Sequence, residues 1–531
     1  MQGLRTSSAS GRIGWLRRWV EGSGVAILLA PGLIWTQLSR THVDVYHRLL
    51  PLTTVVRALA VDLVLLSLVA MLVIRGLEAL SSRMEAEGGR RNLFLLLWAI
   101  WFSLLAARAV AGLIVAQVLW WRQISTGRTF LLALIVLLVF WLISRRWYLG
   151  IVKALRVGCL LLGFCIFWMV PVLVATSLAH QPWDLTRFRK PLPAQTAPHA
   201  RIVWLLFDEM SYDQVFVHRW PGLELPNLDR FRTQSVTFSD VQPDGFFTED
   251  VIPSLLLGKP IEDVLGTPSG WMVYRTSARA PWQRFDGNET LFAAAERQGW
   301  TTGAIGGYNP YCRILRDQLD FCWMNLPLLP DHFSRSESTF GNVVAPLVAN
   351  WDRLSGRPHG APPPNSASLD TLGAVRAGSA LIADTQIDFC FVHLPLPHPP
   401  GQYNRRTGRI GQGGGSYIDN LALSDRVLGR MLDEIARSGA ADRTTVIVSS
   451  DHSWRVWIWR HAFGWTQEDE LASGHGRFNP NPTLMVRFPG ETAAGEVTRP
   501  MPLLSLHELI EELMAGRIGN AQRLEAWAVQ Q

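Results

Sequence analysis

Five long apolar runs crowd the first third of the chain, at roughly 22–39, 52–74, 93–119, 129–144 and 157–179, and nothing comparable follows them. A helix needs about 20 apolar residues to cross the hydrocarbon core of a bilayer, where helices and closed barrels alone satisfy every backbone polar group. The pattern therefore predicts a bundle of five transmembrane helices over residues 1–180, a Pro-rich linker over 181–200, and a separate domain over 201–531. The fourth run is short and is extended by flanking aromatic residues. Pro31 and Pro171 should kink the first and fifth spans. No small-x-small cleavage site follows the first run, so it reads as a span rather than a cleaved leader.

Arginine placement sets the orientation. Arg5, Arg12, Arg17 and Arg18 precede the first span, Arg75, Arg83, Arg90 and Arg91 follow the second, and Arg145, Arg146, Lys153 and Arg156 precede the fifth. The two remaining loops carry only Arg40 and Arg48, and Arg122 and Arg128. The expected amino terminus is cytoplasmic, and an odd number of spans delivers the remainder to the far side. Asp62 and Arg108 fall well within spans, deeper than Arg57 near the start of the second. They either pair, or border a headgroup pocket, or Arg108 snorkels to the interface from a tilted helix.

The net charge is +6, yet of 50 basic residues only Lys153, Lys190 and Lys259 are lysines. The soluble part shows no basic stripe interleaved with aromatic residues, which argues against nucleic acid as a partner. Five cysteines are too few for a disulfide framework. Cys159 and Cys165 read as packing residues in the fifth span, and Cys390 as a buried strand residue. Cys312 and Cys322 flank a short segment and would close a small loop in an oxidising compartment.

Beyond the linker, strands alternate with helices. Strands are expected at 202–207, 236–241, 301–306, 388–393, 444–450 and 483–488, with helices near 227–235, from about 289, over 417–437 and over 504–515. Residues 333–380, 401–416 and much of 262–288 read as Ser/Gly/Pro-rich loops. This alternation predicts an α/β domain with a mainly parallel sheet covered on both faces. In such sheets ligands bind just past the carboxyl ends of the strands. Three strands end in groups able to hold a metal or a phosphate: Asp208-Glu209, His393 with His398, and Asp451-His452. A single carboxylate at a strand end is commonplace; three such ends on one sheet edge point to a metal centre.

The segment Phe246-Phe-Thr248-Glu-Asp-Val-Ile-Pro253-Ser-Leu-Leu-Leu-Gly258-Lys259 supplies a nucleophile. A Thr hydroxyl needs a metal or a base to become one, and a helix amino terminus favours an anionic group beside it. Thr248 could equally be the helix N-cap, with Glu249 and Asp250 in the first turn, and the two roles are compatible.

Together, Asp208-Glu209, Thr248 before Pro253-Ser-Leu-Leu-Leu-Gly, His393-x4-His398-x-Pro and Ser-Asp451-His452 resemble the alkaline-phosphatase superfamily in its sulfatase-like branch. With five spans ahead of them, the arrangement is similar to membrane phosphoethanolamine transferases and to phosphoglycerol transferases of the lipoteichoic acid synthase type. The resemblance implies that Glu209, with Asp208 sharing the role, Thr248, Asp451 and His452 hold one divalent metal, Zn²⁺ or Mn²⁺ ahead of Ca²⁺ or Mg²⁺. It implies Thr248 as nucleophile, His398 as the catalytic residue at the leaving oxygen, and His393, His475 and Lys259 as substrate contacts. Either His475 or Asn481 would fill a further position that is usually a His beside a Pro. The formylglycine sulfatases carry Cys or Ser followed by x-Pro-x-Arg, which Thr248-Glu-Asp-Val-Ile lacks.

The implied activity is transfer of phosphoethanolamine or phosphoglycerol from a membrane lipid to an envelope glycan or lipid, through a Thr-linked intermediate. The implied location is the bacterial inner membrane, with the catalytic domain on the extracytoplasmic side. Two alternatives use the same residues: a hydrolase of phosphate or sulfate esters, and an inert membrane-anchored binding protein.

Overall fold

The computed structural model describes residues 3–29, 52–86, 150, 153–178, 187–192, 200–266, 272–324, 366–461, 464–491 and 494–531. The chain divides near His180 into two compact units. In the amino-terminal unit, helices α1 (Gly3–Leu29) and α2 (Leu52–Ala86) accompany a helical run from Lys153 that continues into α3 (Ile166–Leu178). Among the described residues one helix, Lys153–Ala175, is long and apolar enough to cross a membrane. Its 23 residues span about 34 Å at 1.5 Å per residue. The expected spans at 93–119 and 129–144, the first span beyond Leu29, Arg108 and the Asp62 side chain lie outside the described residues.

The helices of this unit touch through small residues. A Cβ at Gly24 would lie 1.8 Å from the Cys159 carbonyl oxygen, and one at Gly163 would lie 1.8 Å from that of Val20. Close backbone approach of this kind is how helices associate where no hydrophobic effect drives them together. At the end of α2 and the start of the third helical run, Arg156 Nη2 reaches Glu21 Oε2 at 2.9 Å and Glu78 Oε1 at 2.7 Å. Arg18 Nε meets Glu78 Oε2 at 2.6 Å. Arg18 and Arg156 thus meet Glu21 and Glu78 across three helices.

The carboxyl-terminal unit is built on a nine-stranded mixed sheet. In chain order its strands are β1 (Arg187–Arg189), β2 (Arg201–Asp208), β3 (Val236–Phe238), β4 (Thr302–Gly306), β5 (Phe321–Met324), β6 (Phe389–Pro397), β7 (Thr444–Ser450), β8 (Leu484–Arg487) and β9 (Gly495–Val497). Across the sheet they run β1-β5-β4-β6-β2-β7-β8-β3-β9. Five neighbouring strands, β5, β4, β6, β2 and β7, are parallel, whereas β8 is antiparallel to both β7 and β3, β1 is antiparallel to β5, and β9 is parallel to β3. The expectation of a mainly parallel sheet therefore holds: seven of these nine strands share one direction, and β8 and β1 run against it. After β7 the chain makes two short helices, Val456–Trp459 and Gln467–Ala472. Without a crossover helix returning it to the other edge, it re-enters the sheet running the opposite way.

The strand β2 is buried along its whole length. Its alternate side chains face two separate cores, Ile202, Trp204 and Leu206 on one side and Val203, Leu205 and Phe207 on the other. Pairing of Phe389 with Ile202 and of Thr444 with Arg201 brings the ends of β6 and β7 level with Asp208. Three segments expected as loops carry structure. Helix α5 covers Ser366–Ala383 and buries Thr371, Ala374, Val375 and Ile382, a helical spacing hidden in a small-residue stretch. Gly401–Asn404 and Arg409–Gly415 form a two-stranded antiparallel pair, and Asp263–Gly266, Met272–Arg275 and Gln283–Arg284 a three-stranded one.

Candidate active site

Helix α4 (Thr248–Leu257) aims its amino terminus at the carboxyl ends of β2 and β7. It stops at Gly258, whose φ of 64° closes the helix by giving its N–H to Ser254 O. Its N-cap is Phe247, not Thr248, and no side chain caps it. The Thr248 hydroxyl, buried with its residue at 2% exposure, is instead 3.2 Å from His452 Nε2 and 3.5 Å from Asp208 Oδ1.

Two strand ends are pinned together to make this possible. Ser450 Oγ donates to Phe207 O at 2.8 Å and accepts from Met210 N at 2.7 Å, tying β7 to the turn after β2. Asp451 Oδ1 accepts from the backbone N–H groups of His452, at 2.8 Å, and Glu209, at 3.2 Å. Its Oδ2 is buried with no hydrogen-bond partner and lies 3.3 Å from His452 Nε2. His452 Nδ1 faces Ser453 O at 3.1 Å, which leaves the Nε2 lone pair directed at Asp208, Asp451 and Thr248. Burial, reinforced by Arg455, holds the His452 imidazole neutral by lowering its pKa to about 3. Burial also pushes Asp208 well above the ordinary carboxylate range, aided by the charges of Asp451 and Glu209.

Ligand atoms of Asp208, Asp451 and His452 lie within 4.8 Å of one another. Buried carboxylates that repel one another, an orphaned carboxylate oxygen and a neutral imidazole are what a divalent cation requires. These residues fit one.

Glu209 has a different occupation. With φ at 69° it sits in the left-handed region, held by its carbonyl on Tyr417 Oη at 2.7 Å. Its carboxylate forms an ion pair with Arg455 and accepts from Trp459 Nε1 at 2.9 and 3.0 Å. Arg455 also donates to Phe246 O at 3.2 Å and lies 3.3 Å from His398 Nε2. His398 Nδ1 faces the Pro399 carbonyl, so Nε2 accepts from the guanidinium. Burial lowers the His398 pKa despite the nearby Glu209.

The structure thus brings together Asp208, Glu209, Thr248, His398, Asp451 and His452. Of the three expected substrate contacts, Lys259 and His475 fall elsewhere, whereas His393 lies close enough to feel the charges of Asp451, His398 and His452. Lys259 follows the far end of α4, about 15 Å along its axis from Thr248, and pairs with Glu289 at 2.5 Å on the surface. His475 is 71% exposed and faces Glu470 at 3.7 Å. His393 is buried in β6 with Nδ1 2.8 Å from Tyr311 Oη. Asn481 is also committed elsewhere, donating to Ser239 O at 2.6 Å and accepting from Val241 N at 3.0 Å. Sequence reasoning missed Arg455, Trp459 and Tyr417. The signal for Arg455 was its position, three residues beyond His452 and on the same strand end.

Residues 200–493 match the family model described as Sulfatase. Similar solved structures include the phosphonate monoester hydrolase of Agrobacterium radiobacter, at 15% identity over 60% of this chain and 74% of that one, with a TM-score of 0.35. A protein in the alkaline phosphatase superfamily from Vibrio parahaemolyticus is 16% identical over 64% of this chain and 72% of that one, with a TM-score of 0.35. The PsFucS1 sulfatase from Pseudoalteromonas sp. is 13% identical over 60% of this chain and 68% of that one, with a TM-score of 0.38. No curated protein matches the chain.

Proposed function

The chain belongs to the sulfatase family and is an enzyme of the sulfatase-like type, and from that premise we propose that it transfers a phospho-headgroup from a membrane lipid to an envelope glycan or lipid. The observation that carries this reading is the Thr248 hydroxyl, free of any capping duty and set at the mouth of a buried acidic group. Supporting a membrane setting is the apolar helix Lys153–Ala175. The proposed architecture is five spans over 1–180, a linker over 181–200 and the catalytic domain over 201–531, held on the extracytoplasmic side of a bacterial inner membrane.

In the first half-reaction Thr248 Oγ1 forms a bond to the lipid phosphorus, the bond from phosphorus to the glycerol oxygen breaks, and diacylglycerol leaves. The Thr248 hydroxyl has Asp208 Oδ1 within reach at 3.5 Å as an acceptor for its proton. The glycerol oxygen leaves with the proton that Thr248 gives up, handed on by His398, whose imidazole lies within 4.8 Å of the Asp208 carboxylate. In the second half-reaction an acceptor hydroxyl attacks the phosphorus and Thr248 is released. A divalent cation on Asp208, Asp451 and His452, Zn²⁺ or Mn²⁺ by the nitrogen in that set, would act as a Lewis acid and favour the ionised hydroxyl.

Hydrolysis of phosphate or sulfate esters at the same residues is a second reading, favoured by the family match. Lipid carrying a radiolabelled headgroup separates the two. Transfer moves label to a glycan or lipid acceptor, whereas hydrolysis releases all of it to water, and the latter result would end the transferase reading.

A further inference from the structure

Aromatic rings gather on the surface beside Thr248. Phe246 and Phe247 precede it in sequence and are 37% and 42% exposed. Trp457, 42% exposed, comes from the short helix after β7, and the half-buried Phe478 from the loop before β8. Three of the rings touch: the Phe246 centroid lies 5.5 Å from that of Trp457 and 5.6 Å from that of Phe478, and the last two are 4.4 Å apart. Three segments distant in sequence thus place apolar rings at one spot that water reaches, and an exposed apolar patch of this kind marks a binding surface. The patch is tied to the catalytic side chains. Phe246 O accepts from Arg455 Nη1, and the Phe247 ring centroid is 5.6 Å from the Arg455 guanidinium carbon. In the helix Val456–Trp459, Trp457 and Trp459 are about 200° apart around the axis. Trp459 therefore turns inward to Glu209 while Trp457 turns out to solvent.

We propose that Phe246, Trp457 and Phe478 form an apolar seat for the hydrocarbon part of the donor, holding the start of its acyl chains while the phosphorus is presented to Thr248. This rests on the donor being a lipid. Whatever covers these rings lies against the entrance to Thr248, so it is a part of the substrate that does not itself react. The ring geometry selects which part. The three rings meet edge to face, with interplanar angles of 86°, 76° and 86°. A sugar stacks on a flat aromatic face, and these rings share no plane. A hydrocarbon chain packs against edges and faces alike, because dispersion and the release of water are non-directional. The seat makes turnover depend on the length of the donor's chains.

Full-length protein in detergent is given two donors with the same headgroup, one with long acyl chains and one with butanoyl chains kept monomeric, and diacylglycerol release is measured. Trp457→Ala combined with Phe478→Ala should lower kcat/KM for the long-chain donor about tenfold or more, and leave that for the butanoyl donor within about twofold. Trp457→Phe with Phe478→Leu, which keeps the seat apolar, should retain the long-chain rate. Equal loss on both donors, loss on neither, or loss in the conservative pair as well would overturn the seat. A loss confined to transfer onto a glycan, with diacylglycerol release unchanged, would give the rings to the acceptor and overturn it too. If the alanine pair does not fold, the wild type decides: a long-chain donor bearing a diazirine near its ester should, on irradiation, label the peptide holding Trp457 or Phe478. Label on other peptides alone would refute the seat. A wild type that releases diacylglycerol from neither donor removes the lipid reading and the inference together, whereas the other adverse results leave that reading standing.

Discussion

His393 makes the stability of this chain depend on pH in a way that one substitution can isolate. Its ring is buried in β6 between Tyr311 and Phe391 and bonded to the Tyr311 hydroxyl. Burial there lowers its pKa to about 4, against about 6.5 in an unfolded chain. The folded state therefore binds fewer protons than the unfolded state between these values, and stability falls as pH falls. The contribution is intact above about pH 6.5 and is lost progressively down to about pH 4. At pH 5 the linkage amounts to about 2 kcal/mol, rising to about 3 kcal/mol near pH 4. His393→Gln keeps an acceptor for the Tyr311 hydroxyl but does not titrate. Urea unfolding followed by tryptophan fluorescence should show the wild type losing about 2 kcal/mol more than His393→Gln between pH 7 and pH 5. His398 and His452 titrate in both proteins and cancel in the difference. Parallel loss in the two would refute the burial account.

Three other outcomes are expected. Cys312 and Cys322 are bonded, with Cα atoms 5.6 Å apart across ten residues of sequence, so replacing both by Ala should cost about 2–3 kcal/mol of stability; an unchanged unfolding midpoint would contradict this. Asp208→Asn and Asp451→Asn should lower metal occupancy by elemental analysis, whereas Glu209→Gln, whose carboxylate is engaged by Arg455 and Trp459, and His398→Ala should lower it less. Equal loss in all four would make Glu209 and His398 ligands of the same ion. A topology reporter fused after residue 180 should be active on the extracytoplasmic side and one at residue 85 on the cytoplasmic side; the same side for both would end the five-span arrangement.

What was legible in the sequence was what local pattern encodes. Residues 444–450 and 202–207 announce buried strands by their unbroken apolar and β-branched character, and the acidic and histidine residues that follow them inherit a place at the sheet edge. The Cys312–Cys322 bond was foreshadowed by the ten-residue spacing of the pair. Contacts made across the fold were not. Glu209 and Arg455 are 246 residues apart in sequence, and nothing local to Glu209 says that a guanidinium rather than a metal will take its charge. Lys259 and His475 were expected as substrate contacts from the resemblance, which says nothing of how the chain runs after α4 or before β8. A helix of ten residues carries Lys259 away from Thr248, and a surface loop turns His475 to solvent. Helix α5 escaped notice because Gly378 and several serines and alanines dilute its apolar face.

The central claim, that Thr248 carries the transferred group, has one direct test. Purified full-length protein is incubated with phospholipid bearing an isotopically labelled headgroup, quenched in acid during turnover, digested, and the peptide containing Thr248 is weighed by mass spectrometry. The expected result is a phospho-headgroup adduct on Thr248, absent from a folded, metal-loaded Thr248→Ala protein that releases no diacylglycerol. An unmodified Thr248 peptide, together with diacylglycerol release by Thr248→Ala, would contradict the covalent mechanism and the assignment of this site.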